Sequence, residues 1–107
     1  MPDTGLVRGR VYAAKLEHIP GEKYYLVVSN NRRNRQLPQV LAARLTTSPK
    51  TPRPSVVELD HREVFTGRVL CDDIEALYPD EVTRDLGALT PGAMAHVEDG
   101  IRAALDL

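Results

Sequence analysis

The sequence predicts a small, mainly β domain closed by one C-terminal helix. Three observations carry that expectation. Short runs rich in β-branched and aromatic residues recur through the first two thirds of the chain. Loops dense in proline, asparagine and arginine separate them. A repeat of apolar residues at helical spacing appears only near the end, after Thr90. The 107 residues, 42% of them hydrophobic, suit one domain with a single small core.

Residues 8–16, RGRVYAAKL, open the series and carry Arg8, Arg10 and Lys15. Residues 24–29, YYLVVS, are nearly all apolar and too short for a helix, which predicts a buried central strand. VLAARLTT at 40–47 is a third strand, favoured over a helix by Pro38 before it and the prolines after it. SVVEL at 55–59 and FTGRVLC at 65–71 are the fourth and fifth, with Gly67 as a bulge position. NNRRNRQLP and SPKTPRPS read as two cationic loops. After Cys71, residues 72–77 read as a connector and 79–85 as a helical turn. Thr90 is a good N-cap with Pro91 at the first helical position, and Met94, Val97, Ile101 and either Ala104 or Leu105 form one apolar stripe. The expected architecture is a strongly curled antiparallel sheet of five or six strands, closed by that helix.

One cysteine, Cys71, excludes an internal disulfide and fits a reducing cytoplasm. No apolar run reaches the roughly 20 residues of a membrane span, and the N-terminus lacks a signal-peptide core. A cytoplasmic protein without membrane contact is expected. The net charge of −1 conceals a split: residues 1–53 hold ten Lys and Arg against three acids, and residues 54–107 hold four Arg against twelve acids. That predicts a basic face if the halves do not interleave.

His18, His61 and His96 lie far apart and none pairs with Cys71 at ligand spacing, so neither a metal site nor a cofactor is expected. Phosphate-binding glycine loops and serine nucleophile elbows are missing from the sequence. What remains is polar groups at strand ends. If 24–29 and 40–47 are antiparallel neighbours, Lys23 lies beside Thr46. A cation beside a hydroxyl suits a phosphate, and suits better the extra charge of a phosphorane.

RGxVY, a cation followed by YYLVVSNN, then NxR, VLAARLTT, a glycine-containing strand running into DDIEAL, and the ending LGALTPGAMAHVEDGIRAALDL follow one another in order. In that order and spacing the chain resembles the MazF/PemK family of toxin endoribonucleases, from Arg8 to Leu105. The resemblance implies a small SH3-like, PemK-type barrel, a homodimer, and metal-independent cleavage of single-stranded RNA. It aligns Lys23 and Thr46 with the family's catalytic arginine and threonine. Here Lys23-Tyr24 stands where the family has Arg-Pro: the charge is kept, the bidentate fork is lost, and a transferable proton is gained. The loop LEHIPGEK is also shorter than usual in the family. The general base is left open among Glu22, Glu17 and His18.

The resemblance places substrate along residues 17–22, 30–36 and 48–54. RNA contacts are therefore expected from Arg10, Glu17, Asn30, Arg32, Arg33, Asn34 and Arg35, and from Thr47, Lys50 and Arg53. Asp72 and Asp73 are candidate acceptors for exocyclic amines, and Tyr12, Tyr24 and Tyr25 are candidate stacking partners. The expected products are a 2′,3′-cyclic phosphate and a 5′-hydroxyl. The implied partner is a cognate antitoxin whose acidic, disordered tail competes for the basic groove. Two rival readings are a same-fold toxin that acts on a protein target such as gyrase, and an RNA-binding module without catalysis.

Overall fold

The structure, a computed structural model, describes residues 3–107. Its elements are β1 (Arg10–Ala14), β2 (Lys23–Val27), the one-turn helix α1 (Asn31–Asn34), β3 (Val40–Thr46), β4 (Val56–Leu59), β5 (Gly67–Leu77), β6 (Val82–Ala88) and α2 (Pro91–Leu105). The strands form one sheet in the order β4-β5-β3-β2-β1-β6, and every pairing is antiparallel. This agrees with the expected β class, the strand count and the closing helix. The sheet is open rather than a closed barrel, because β4 and β6 are its two edges. The loop after β4 spans the gap through one side chain: the Glu63 carboxylate accepts from Thr90 N at 2.9 Å and from Thr90 Oγ1 at 2.7 Å.

Two expectations need correction. Residues 72–77 are not a connector but the second half of β5, which pairs with β3 over Arg68–Leu70 and again over Ile74–Leu77. A register shift opposite Ala43 and Arg44 absorbs Cys71, Asp72 and Asp73, so the two acids bulge outward while the ladder resumes at Ile74. The helical turn at 79–85 is confined to the 3₁₀ turn Pro79–Glu81, and β6 begins directly after it. β6 pairs only with β1. Its sequence, VTRDLGA, is mostly exposed and sets three polar residues in a row, so it carries little of the apolar alternation that marks a half-buried strand.

Strand alternation gives the sheet two packed faces. On one, Val11, Leu26, Leu45, Val69 and Cys71 meet Met94 and Val97 of α2. On the other, Tyr12, Tyr25, Val27, Val40 and Leu77 pack together, with Leu6 and Ile19 laid over them. The helix approaches closely at Gly100, where an added Cβ would lie 2.7 Å from Cys71 Sγ and 2.9 Å from Val57 Cγ2. Burial raises the Cys71 thiol to about 11.

The charge halves interleave. β5 and β6, from the acidic half, flank the basic-half strands, and Arg8–Glu98, Arg10–Asp85, Arg84–Glu22 and Arg53–Asp72 cross between the halves. The basic half is therefore neutralised in part, at Arg8, Arg10 and Arg53.

Candidate active site

The β2–β3 register sets the site. Tyr24 pairs with Leu45, so the next position outward sets Lys23 against Thr46. Lys23 also pairs with Ala14 of β1. Both side chains line a cleft of about 220 Å³ with Glu22, Tyr24, Arg44 and Thr47. The juxtaposition expected at the strand ends is thus present in the fold, and Glu22 joins it.

Thr46 is held there by its neighbours. Its Oγ1 accepts from Ser48 N at 3.1 Å. Gly67, at φ 153°, begins β5 against it, and a Cβ at Gly67 would come within 2.4 Å of Thr46 O. Only glycine tolerates both that φ and that approach.

Glu22 is held from the edge strand. Its carboxylate accepts from Thr83 Oγ1 and, at 2.8 Å, from the Arg84 guanidinium. The Thr83 and Arg84 hydrogen bonds hold its pKa below the ordinary glutamate value. Arg84 also donates to the Tyr24 hydroxyl at 3.3 Å. Tyr24 is half-buried and tilted against Phe65, with ring centroids 5.1 Å apart. Tyr12 and Tyr25 are buried in the core, which leaves Tyr24 as the one of the three with a ring at the cleft.

The other candidates scatter. His18 lies outside the cleft lining, with Nε2 2.9 Å from Glu75. Glu17 faces a separate depression with Lys15, Asp80 and Glu81. Thr47 is exposed where it lines the cleft, Lys50 is exposed outside the lining, and Arg53 lies 3.9 Å from Asp72. Asp73 is exposed on the β5 bulge, and Arg10 is paired with Asp85 at 3.1 Å.

The cationic loop folds into α1, and much of it serves the fold. Asn30 caps the helix by accepting from Arg33 N at 2.9 Å. Arg33 donates to Gln39 O at 3.0 Å and to Gln39 Oε1 at 2.9 Å. Asn34 is only 1% exposed. It accepts from Ser29 Oγ at 2.6 Å, and its amide donates to Ser29 O at 3.0 Å. Asn34 is therefore corrected from an RNA contact to a core hydrogen-bonding residue. Arg32 and Arg35 remain exposed.

Sequence reasoning missed Arg44, Thr83 and Arg84. Arg44 had a visible signal: an arginine inside the apolar run VLAARLTT. Thr83 and Arg84 had none, because only the unanticipated β6 pairing brings them to Glu22.

Comparisons with known proteins identify the family and the fold. The model of PemK-like, MazF-like toxins of type II toxin-antitoxin systems matches residues 7–105. The chain is 41% identical over 101 residues to Endoribonuclease MazF1 of Mycobacterium bovis, covering 94% of this chain and 93% of that one. The same figures hold for Endoribonuclease MazF4 of Mycobacterium tuberculosis. Among solved structures, a mycobacterial endoribonuclease in complex with its cognate antitoxin superposes with a TM-score of 0.89 at 40% identity, over 96% of this chain and 97% of that one. A MazE-MazF structure from Deinococcus radiodurans, at 20% identity and a TM-score of 0.79, shares the fold. The chain belongs to the PemK-like, MazF-like family of toxins of type II toxin-antitoxin systems.

Proposed function

We propose that this chain is an endoribonuclease that cuts single-stranded RNA at the Lys23–Thr46 cleft, using its own side chains and no metal ion. The carrying observation is the β2–β3 register, which sets an ammonium opposite a hydroxyl with Glu22 beside them. Cleavage proceeds by attack of the 2′-hydroxyl oxygen on the adjacent phosphorus. The P–O2′ bond forms and the P–O5′ bond breaks, leaving a 2′,3′-cyclic phosphate and a 5′-hydroxyl.

Glu22 is the base of this scheme. It lines the cleft, and the Thr83 and Arg84 hydrogen bonds that lower its pKa keep it ionised and fix its position, at a cost in basicity. Glu17 and His18 lie outside the cleft lining. Lys23 and Thr46 stabilise the phosphorane, and Lys23 donates the proton that the leaving 5′ oxygen needs. Tyr24 offers a ring face to an unstacked base. Arg32, Arg35 and Lys50, exposed in the flanking loops, attract the backbone.

The proposal extends to assembly. The fold matches an endoribonuclease solved with its antitoxin, which supports a cognate antitoxin with an acidic tail as partner of this chain. A homodimer is proposed on the same family membership. No described helix is long and apolar enough to cross a membrane.

The test is a long, structure-poor RNA incubated in EDTA with the wild-type protein, Lys23→Ala and Thr46→Ala, with the ends mapped. Discrete cuts by the wild type, with 2′,3′-cyclic phosphate ends, and their loss in both variants are expected. Binding without cutting would select the RNA-binding module. Neither binding nor cutting would direct attention to a protein target.

A further inference from the structure

Four arginines lie within strands of the sheet: Arg10, Arg44, Arg68 and Arg84. Three are neutralised by a carboxylate: Arg10 by Asp85 at 3.1 Å, Arg68 by Glu58 at 2.9 Å and Arg84 by Glu22 at 2.8 Å. Arg44 has no carboxylate partner among the described residues, although it occupies an interior position of the central strand β3. Its Nε is fully buried and donates to nothing. The buried hydroxyl of Tyr25, the residue paired with Arg44 across β2–β3, is likewise without a partner.

A guanidinium nitrogen taken out of water without an acceptor is costly to keep. The terminal nitrogens of Arg44 also lack a hydrogen-bond partner among the described residues but are not fully buried, so they are the part of the fork that an outside group can reach. Arg44 opens on the cleft that also holds Lys23 and Thr46. Along β3, Arg44 and Thr46 are two residues apart and so share a face, about 7 Å from each other. Lys23 stands opposite Thr46 on that face. The three groups converge on one volume.

We propose that Arg44 is a further catalytic residue, and that its guanidinium donates to the non-bridging oxygens of the scissile phosphate. This rests on the reading of the cleft as the RNA-cutting site. The roles divide by chemistry. Lys23 is a compact charge with a proton to give, whereas Arg44 presents a rigid fork that matches two phosphate oxygens and does not release its proton. Charge on those oxygens grows as the phosphorane forms, so the fork acts mainly on the chemical step.

The experiment measures single-turnover cleavage at saturating RNA for wild type, Arg44→Gln, Arg44→Lys and Arg62→Gln. Binding of the same RNA, with its attacking 2′-hydroxyl methylated, is followed against salt. Thermal melts confirm that each variant is folded. The expected result is a loss on the order of 100-fold in rate for Arg44→Gln. Its salt slope should be shallower by about 0.7, one phosphate contact on a single strand. Arg44→Lys should recover part of the rate and the full slope, a pattern that a packing role would not give. Arg62→Gln, exposed and bound only to Asp60, should match wild type.

A folded Arg44→Gln protein with wild-type rate and slope would overturn the assignment. Loss of cutting in Lys23→Ala and Thr46→Ala beside that result would leave the cleft reading standing. Wild-type protein that neither binds nor cuts RNA would overturn both.

Discussion

The loop at 30–36 and the strand edge at 22–24 and 44–47 are two cationic regions of the molecule, and they use charge differently. In the loop, three polar residues serve the fold while Arg32 and Arg35 stay exposed: Asn30 caps, Arg33 grips Gln39, and Asn34 is buried against Ser29. At the strand edge, Lys23 and Arg44 have no acidic partner among the described residues and open on one cleft. The density of arginine in a sequence is therefore a poor guide to available charge. The decisive property is whether the fold already supplies each cation with an acceptor.

That contrast is best attacked through catalysis. Lys23→Ala or Thr46→Ala should lower the single-turnover rate by about 10²–10³-fold. Arg32→Ala and Arg35→Ala together should lower it less than about tenfold, with the change in KM and in salt dependence. Loop variants as damaged as the cleft variants would erase the distinction.

Gly67→Ala probes whether the strand edge depends on backbone placement. The new Cβ would overlap Thr46 O, so the backbone must shift. A displacement near 1 Å should cost about 100-fold in rate, more than the accompanying drop in melting temperature would explain. Activity kept at wild-type level would show that Thr46 needs no such precision.

Stability sharpens the comparison from the loop side. Asn34→Ala leaves the Ser29 carbonyl and hydroxyl short of partners and should cost about 1–3 kcal/mol in urea unfolding. Arg35→Ala, exposed, should fall within about 0.5 kcal/mol of wild type.

The smallest effect concerns pH. Glu22 has a lowered pKa in the folded protein, set by Thr83 and Arg84. The rate should hold through the ordinary glutamate range and fall only below it. Arg84→Gln should move that acid limb upward, measured as a pH–rate profile. The sign for stability is the same: the contribution of Glu22 is present above its unfolded value and is lost as pH falls through the lower folded one.

The legible and illegible parts of the molecule divide along physical lines. β2 and β3 announce themselves because both faces are buried, so YYLVV and VLAARL are nearly continuous apolar runs. Lys23 and Thr46 followed from them, since antiparallel neighbours joined by one loop fix which ends meet. β6 was hidden because an exposed edge strand needs no apolar pattern, and with it went Thr83 and Arg84. Asn34 was misread as a surface contact because asparagine serves a solvated loop and a buried turn equally well. Gly100, which weakens α2 as a helix, is required by the contact with Cys71.

The position of β6 also has a temporal consequence. It lies beside β1, so the first and last strands of the chain are neighbours, and Arg84 reaches Glu22 across 62 residues. A ribosome adding about 5–20 residues per second takes several seconds to travel between them. Until it does, the nascent chain has Lys23 but nothing to hold the carboxylate beside it. The hold on Glu22 therefore forms only late in synthesis, after β6 has been made.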